Sequence, residues 1–103
     1  MPSQATVILF LREDTPGEVA RAYQDTSWVT EAIPGLLSTD LVREAEDPAR
    51  YLLMSQWSDL AAFRAWQTGP DHAGGAKPSP LRPYQDRSRG QHYLVYEQAG
   101  ESI

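Results

Sequence analysis

Residues 57–72 read WSDLAAFRAWQTGPDH and hold two of the three tryptophans, one of the two phenylalanines and one of the two histidines. Ser58 is a residue type common at helix N-caps, and an apolar face with Phe63 and Trp66 follows at helical spacing until Pro70. The stretch therefore predicts the end of a strand, a short amphipathic helix and a loop. Its aromatic side chains either pack at a core edge or line a cavity.

The pattern on either side predicts four strands and one further helix. Thr6–Arg12 is apolar on both alternating faces, which is typical of a central strand covered on both sides. Thr15, Pro16 and Glu18 predict an N-cap, a first helical position and a capping box. The predicted strands are residues 6–12, 36–45, 50–57 and 91–98, and the first helix lies between Thr15 and Ile33. The order βαββαβ predicts one α+β domain over residues 1–103, with the ferredoxin-like fold and an antiparallel sheet.

Trp28 does not fit the apolar stripe of the first predicted helix. The stripe is formed by Val19, Ala22, Tyr23, Thr26, Val29 and Ile33. At ~100° per residue, Trp28 lies about 150° from the centre of the stripe. Either the helix bends near Thr26–Ser27, or this indole faces a second surface such as a dimer contact or a ligand.

Helices on one face of such a sheet leave its other face uncovered. That face would carry Leu, Met, Tyr and Trp side chains, and an uncovered apolar face of this kind predicts a partner. The simplest partner is a second copy, packed sheet against sheet about a two-fold axis. The sequence therefore predicts a homodimer formed through the open face of the sheet.

Composition excludes several classes of function. The 103 residues carry 9 basic and 14 acidic side chains, and the net charge of −5 argues against general nucleic-acid binding and against an anionic membrane surface. The absence of Cys excludes a disulfide framework, a thiol nucleophile and a thiolate metal site. The N-terminus lacks the build of a signal peptide, and no apolar run approaches the ~20 residues that span a bilayer. We expect a cytoplasmic protein.

A long Gly/Pro-rich loop is predicted over residues 69–90. It holds four prolines and four glycines, and its cationic side chains outnumber the acidic ones by four to two. Loops of that length are usually functional or disordered. The local positive charge is consistent with an anionic ligand or with a solvated loop surface.

Two segments carry a resemblance to a known family. PGLLS at residues 34–38 and REAEDPARYLLMSQWSDLAAFRAW at residues 43–66 resemble the antibiotic biosynthesis monooxygenase family, and the likeness extends over about residues 5–98. The resemblance implies a dimeric α+β barrel, with a cavity between the sheet and the helices of each subunit. It also implies one of several activities, because members oxidise phenolic or anthrone-like intermediates without a cofactor, degrade haem or cyclise polyketides.

The haem-degrading branch resembles this chain in the spacing of Phe63 and Trp66. Its haem-ligating His corresponds to Ala76 here, and its first-strand Asn is missing from VILFLR. His72 lies too near Trp66 to be carried over as the iron ligand. We therefore expect neither a metal nor another cofactor.

The leading hypothesis is a monooxygenase that oxidises an aromatic, polyketide-like substrate with O₂. Such a reaction needs a dry pocket, a proton acceptor and donors for the developing charge. The candidate catalytic residues are Tyr84, His72, His92 and Gln56, and the candidate substrate-binding residues are Trp66, Trp57, Arg82, Arg87 and Tyr51. Related monooxygenases resemble this chain in carrying an amide where Gln56 stands, but strand alternation lets only one of Gln56 and Trp57 face the cavity. The alternatives are a polyketide cyclase and a non-catalytic small-molecule-binding dimer.

Overall fold

The computed structural model describes residues 4–30, 32–68 and 79–99. Its elements are, in chain order, β1 (Ala5–Arg12), α1 (Glu18–Gln24), α2 (Ser27–Thr30), β2 (Leu36–Arg43), β3 (Arg50–Trp57), α3 (Leu60–Gln67), a 3₁₀ turn (Arg82–Tyr84) and β4 (Tyr93–Glu97). Within these ranges, four antiparallel strands form one sheet in the order β2-β3-β1-β4. The predicted ferredoxin-like α+β fold is confirmed. Every helix in the described part of the chain is too short or too polar to span a bilayer.

The register of the central strands separates the sheet into two faces. Leu9 of β1 lies opposite Leu53 and Tyr93, while its neighbour Ile8 lies opposite Met54 and Leu94. We call the side covered by the helices the helix face. It carries Val7, Leu9, Leu11, Tyr51, Leu53, Ser55, Trp57, Tyr93 and Val95. The open face carries Thr6, Ile8, Phe10, Val42, Leu52, Met54, Gln56, Leu94 and Tyr96. Apolar side chains on both faces of β1 confirm the prediction of a two-sided central strand.

Two apolar clusters fill the helix face. The cluster nearer α1 consists of the buried residues Leu11, Val19, Tyr51, Leu53 and Leu81. The cluster beneath α3 consists of Ala5, Val7, Trp57 and Phe63. Tyr51 and Trp57 stand at the two ends of β3, six residues apart, so their Cα atoms lie roughly 20 Å from each other along the strand.

The start of α1 is fixed by a buried carboxylate that the sequence analysis did not single out. The N-cap is Gly17, with φ 93°, so the prediction of Thr15 as N-cap was wrong. The Glu13 carboxylate accepts hydrogen bonds from the backbone N–H of Gly17 at 3.2 Å and of Val19 at 3.0 Å. It also accepts one from the hydroxyl of Tyr51 at 3.0 Å. Glu13 thereby joins β1, α1 and β3.

The pKa of Glu13 lies below its usual value although the side chain is buried. Burial alone would raise this pKa, but hydrogen bonds from Val19, Tyr51 and Gly17 lower it, as does the positive charge of Arg43. The hydrogen bonds therefore outweigh the cost of burial. Glu13 is held as a carboxylate at neutral pH.

Of the two interpretations of Trp28, the structure shows the bend in the first helix. α1 ends at Gln24, and the hydroxyl of Thr26 donates to the carbonyl of Tyr23 at 2.8 Å before α2 begins. The break changes the helical phase, so Val29 is 42% exposed whereas Trp28 packs against the core. The predicted apolar stripe is thus wrong at Val29.

Several predicted boundaries move by a few residues. β2 ends at Arg43 instead of Ala45, and β4 begins at Tyr93 instead of Gln91, while β3 matches its prediction. The cap of α3 is Asp59, whose carboxylate accepts from Ala62 N–H at 2.7 Å, so the choice of Ser58 was wrong.

Gly35 lies in the turn that leads into β2 and allows this turn to pack against α3. Its φ of 84° is in the left-handed region, and a Cβ added there would collide with the side chain of Ala62. The carbonyl of Gly35 also accepts from Ser58 N–H at 2.8 Å. The turn and the start of α3 are therefore held together.

Replacing Glu13 by Ala is expected to lower the free energy of unfolding by about 2–3 kcal/mol. The substitution removes the acceptor of the α1 amides and leaves the buried Tyr51 hydroxyl unpaired. The adjacent, exposed Asp14→Ala is the matched control and should change stability by less than about 0.5 kcal/mol. Urea denaturation followed by circular dichroism measures both, and equal losses would contradict the assigned role.

The stabilisation from Glu13 should also depend on pH in one direction. Because the folded-state pKa is depressed, the stabilisation is complete above the unfolded-state pKa of about 4.3 and is lost as pH falls through the folded value. The stability difference between the native chain and Glu13→Gln should therefore shrink below about pH 4. A difference that stays constant from neutral to acidic pH would refute this assignment.

Candidate functional site

Three tryptophans meet on the helix face at the end of β3. The Trp57 ring is fully buried, with its centroid 6.3 Å from that of Trp28 and 5.7 Å from that of Trp66. Trp28 and Trp66 lie edge to face at 5.1 Å and are only half-buried. The ring of Phe63 also packs against this group, with its centroid 5.4 Å from that of Trp57. The sheet, α2 and α3 thus each contribute one indole to a wall whose outer rings reach the surface.

Ser55 holds the central indole in place. Its hydroxyl accepts a hydrogen bond from Trp57 Nε1 at 2.9 Å and lies 3.4 Å from the carbonyl of Val7, to which it donates. Both Ser55 and Trp57 are fully buried. The position of the ring is therefore fixed by a hydrogen bond as well as by packing.

An open depression of about 300 Å³ lies beside this wall, between α2 and β2. It is lined by Trp28, Ala32, Ile33, Leu36, Leu37, Ser38 and Thr39. We call it the Trp28 pocket, because Trp28 belongs both to the pocket and to the aromatic wall. The surface that this lining presents is more polar than apolar, and Trp28 supplies its aromatic part.

Thr39, on the polar side of the Trp28 pocket, is in contact with the hydroxyl of Tyr23, which lies outside the lining. The Thr39 Oγ1 atom lies 2.6 Å from the Tyr23 hydroxyl oxygen, and either atom can be the donor. Tyr23 projects from α1 and Thr39 from β2, so the pair connects a helix to the edge of the sheet. The pocket thus offers an aromatic surface with a hydroxyl pair beside it.

Two of the predicted tyrosines lie at the opposite end of the helix face. Tyr51 donates to Glu13, and Tyr84 donates to Glu18 at 3.1 Å. The pKa of Tyr51 is raised first by burial and then by its bond to Glu13, while that of Tyr84 is raised first by its bond to Glu18. Both hydroxyls are held by carboxylates. The Cα atom of Tyr51 lies roughly 20 Å along β3 from that of Trp57.

Gln56 lies on the other side of the sheet from the tryptophans, where it accepts a hydrogen bond from the hydroxyl of Thr6 at 2.7 Å on the open face. His92 lies just before β4, and its backbone carbonyl accepts from Phe10 N–H at 2.8 Å. Its ring centroid is 4.9 Å from that of Tyr93, which packs against the cluster beneath α3. Burial lowers the pKa of His92, and the charge of Arg87 lowers it further.

Arg82 and Arg87 are not brought to the aromatic wall. Both are exposed, and Arg87 donates to Gln85 at 3.4 Å. His72 lies outside the described residues. Of the nine predicted site residues, the structure brings together Trp57 and Trp66.

Sequence reasoning missed four residues of this site, namely Trp28, Tyr23, Thr39 and Ser55. The misfit of Trp28 to its helical stripe was a usable signal, and a ligand contact was one of the interpretations it left open. Tyr23 and Thr39 had no such signal, because they are sixteen residues apart and meet only through the fold.

Comparisons with known proteins agree with this architecture. The family model described as antibiotic biosynthesis monooxygenase matches residues 9–77, which is more than half of the chain. Protein SchA from Streptomyces halstedii is 32% identical over 101 residues, covering 96% of this chain and 26% of SchA. A mycobilin-producing heme oxygenase from Mycobacterium tuberculosis is 32% identical over 60 residues, or 55% of this chain and 57% of that enzyme. This chain therefore spans about a quarter of the length of SchA and little more than half of the heme oxygenase.

A solved structure resembles the whole chain. SnoaB, described as a cofactor-independent oxygenase from Streptomyces nogalater, superimposes with a TM-score of 0.70 at 20% identity, covering 100% of this chain and 98% of that chain. At that identity the likeness shows the fold.

The described pocket does not fit haem. Its lining includes no histidine, and its volume of about 300 Å³ is small for a porphyrin macrocycle. Across residues 4–30, 32–68 and 79–99, no three His, Cys, Asp or Glu side chains stand close enough together to hold a metal ion. The described pocket residues therefore suit an organic molecule better than a haem.

Ser55→Ala is expected to destabilise the chain by about 1–3 kcal/mol, because it leaves the buried Trp57 N–H without an acceptor. It should also shift tryptophan emission, since the central indole loses its anchor. Ser58→Ala is the control and should change stability by less than about 0.5 kcal/mol, because Asp59 caps α3. Thermal melts and fluorescence spectra measure both effects, and a neutral Ser55→Ala would show that packing alone positions Trp57.

Proposed function

Because the chain belongs to the antibiotic biosynthesis monooxygenase family, we propose that it oxidises a small aromatic phenol or anthrone with O₂ and without a cofactor. The observation that carries this proposal is the aromatic wall of Trp28, Trp57 and Trp66 beside a small pocket. Half-buried indoles can stack on a planar substrate. SnoaB, which shares the fold, is described as a cofactor-independent oxygenase, and this supports the choice of reaction.

The proposed chemistry needs little from the protein beyond a dry pocket and a proton acceptor. Removing a proton from an anthrone gives an electron-rich anion that reduces O₂ directly. One oxygen atom forms the new carbonyl, and the other leaves as water with the two hydrogens of the ring carbon. The four electrons lost by the ring reduce O₂ completely. The chain's part is to hold the ring, exclude bulk water and accept the first proton.

We propose His92 and His72 as the candidate proton acceptors. The ring of His92 lies 4.9 Å from that of Tyr93, whereas the hydroxyls of Tyr51 and Tyr84 are held by carboxylates. His72 follows Trp66 by six residues in the sequence, and an imidazole is a suitable proton acceptor near neutral pH. Arg82 and Arg87 are exposed, and we propose that they attract anionic substrates by their charge.

Incubating metal-stripped protein with anthrone in air should produce anthraquinone and consume O₂. Trp28→Leu, which removes the wall of the pocket, should lower the rate by about tenfold or more. Val29→Leu, the exposed neighbour in α2, should leave the rate unchanged. An oxygen electrode and mass spectrometry of the product provide the measurements.

The alternatives give different outcomes in the same experiment. A polyketide cyclase would turn over its substrate under strict anaerobiosis, whereas the oxygenase would stop. A binding protein would show ligand-induced melting shifts with no product. Absence of product above the buffer rate across a panel of anthrones and naphthols would exclude the proposed oxidation.

We also propose a homodimer formed through the open face. Ile8, Met54 and Leu94 lie side by side at its centre, and Tyr96 at its edge is 51% exposed. Apolar patches of this kind usually mark an interface. A second copy related by a two-fold axis would cover each face with an identical one.

Leu94→Glu should convert the dimer to a monomer, because two carboxylates would face each other in an apolar interface. The matched control is Val29→Glu, which places the same charge on an exposed position of α2. Light scattering should give twice 11.5 kDa for the native chain and the control, and 11.5 kDa for Leu94→Glu. A native chain that is monomeric at micromolar concentration would refute the proposed interface.

A further inference from the structure

The Tyr23–Thr39 pair has hydrogen-bonding capacity that the fold does not use. Two hydroxyls can each donate once and accept twice, but a single contact at 2.6 Å uses one donor and one acceptor. One O–H hydrogen and several lone pairs are therefore available to a third group. Both side chains are half-buried and Thr39 lines the pocket, so a group in the pocket can reach the pair through Thr39.

The pocket places this capacity beside an aromatic surface. Thr39 and Trp28 both line the depression, and Tyr23 packs with Trp28 against the cluster of Leu11, Val19, Tyr51, Leu53 and Leu81. Ile33 and Leu36 complete the apolar lining close to Trp57. A planar ring in contact with Trp28 would thus have the hydroxyl pair at its rim.

The size of the pocket limits what it can hold. The volume of about 300 Å³ is the volume that roughly ten water molecules occupy in liquid water. It also lies at the lower end of the range for small-molecule sites. One or two fused rings suit that space, and because the depression is open, a third ring such as that of anthrone would project out of it.

We propose that the Tyr23–Thr39 pair binds the oxygen of a one- or two-ring aromatic alcohol whose ring lies against Trp28. This proposal rests on the proposed function, because it names the part of the proposed substrate that the site recognises. The hydroxyl pair is then a specificity-determining element, which selects oxygenated rings over hydrocarbons of the same shape. The site would bind the hydrocarbon more weakly because the hydrocarbon displaces water from the two hydroxyls and offers them no hydrogen bond in return.

Binding under anaerobic conditions tests the proposal separately from turnover. The probes are 1-naphthol and 1-methylnaphthalene, which differ in a hydroxyl and a methyl group of similar size. Isothermal titration of both ligands compares the native chain with the double variant Tyr23→Phe/Thr39→Val. Both substitutions keep the side-chain shape, and thermal melting confirms that the variant is folded.

The double variant should bind 1-naphthol about tenfold more weakly and 1-methylnaphthalene within about twofold of the native chain. Thr6→Val is the matched control, because it removes a hydroxyl from the open face, where Thr6 bonds to Gln56. The control should change neither affinity. Equal weakening of both ligands would show that the pair only connects α1 to β2, and would overturn the proposal.

Two further outcomes overturn it. In the first, the native chain binds neither ligand. In the second, the native chain binds 1-naphthol and the double variant binds it with the same affinity. Selective binding of 1-naphthol without any oxidation in air would instead support the hydroxyl pair and reject the oxygenase. The failure of the two proposals is therefore distinguishable.

Discussion

The two-residue period of β3 determines which side chains can share a site. Every second residue of β3 is buried and faces the helices, and the residues between them are less buried. The four that face the helices are Tyr51, Leu53, Ser55 and Trp57. Gln56 must then face the other way, where it bonds to Thr6. A shift of one residue in register would exchange the two faces, and would move Trp57 away from the indoles of the helices. The aromatic wall and the open apolar face are consequences of the same alternation.

The break after Gln24 is the second constraint, because it decides where Trp28 lies. A continuous helix would carry Val29 inward and Trp28 outward, as the periodicity of the sequence predicts. The turn at Asp25–Thr26 changes that phase and brings Trp28 against Trp57 and Trp66. The spacing of residues in the sequence predicts which of them share a helix face only as long as the helix is unbroken. A helix that ends early therefore makes its later residues unpredictable from the pattern alone.

The fold could be predicted largely from local patterns, whereas the site could be predicted only in part. Strand alternation and helical spacing are local signals, and they yielded the correct βαββαβ order. Trp57 and Trp66 lie nine residues apart on adjoining elements, so their meeting was accessible too. Tyr84 illustrates what was not accessible. Its bond to Glu18 depends on where a long connection lies against α1, and no local pattern encodes that position.

The two ends of the helix face have different physical tasks. At one end, the Glu13 carboxylate is buried and accepts three hydrogen bonds, from two backbone amides and from Tyr51, so it holds the fold together. At the other end, α2 is a helix of four residues, too short to be stable without tertiary contacts. Its Trp28 is held by other rings instead of by a hydrogen-bonded carboxylate. The Glu13 end therefore depends on hydrogen bonds to a buried charge, whereas the Trp28 end depends on ring packing.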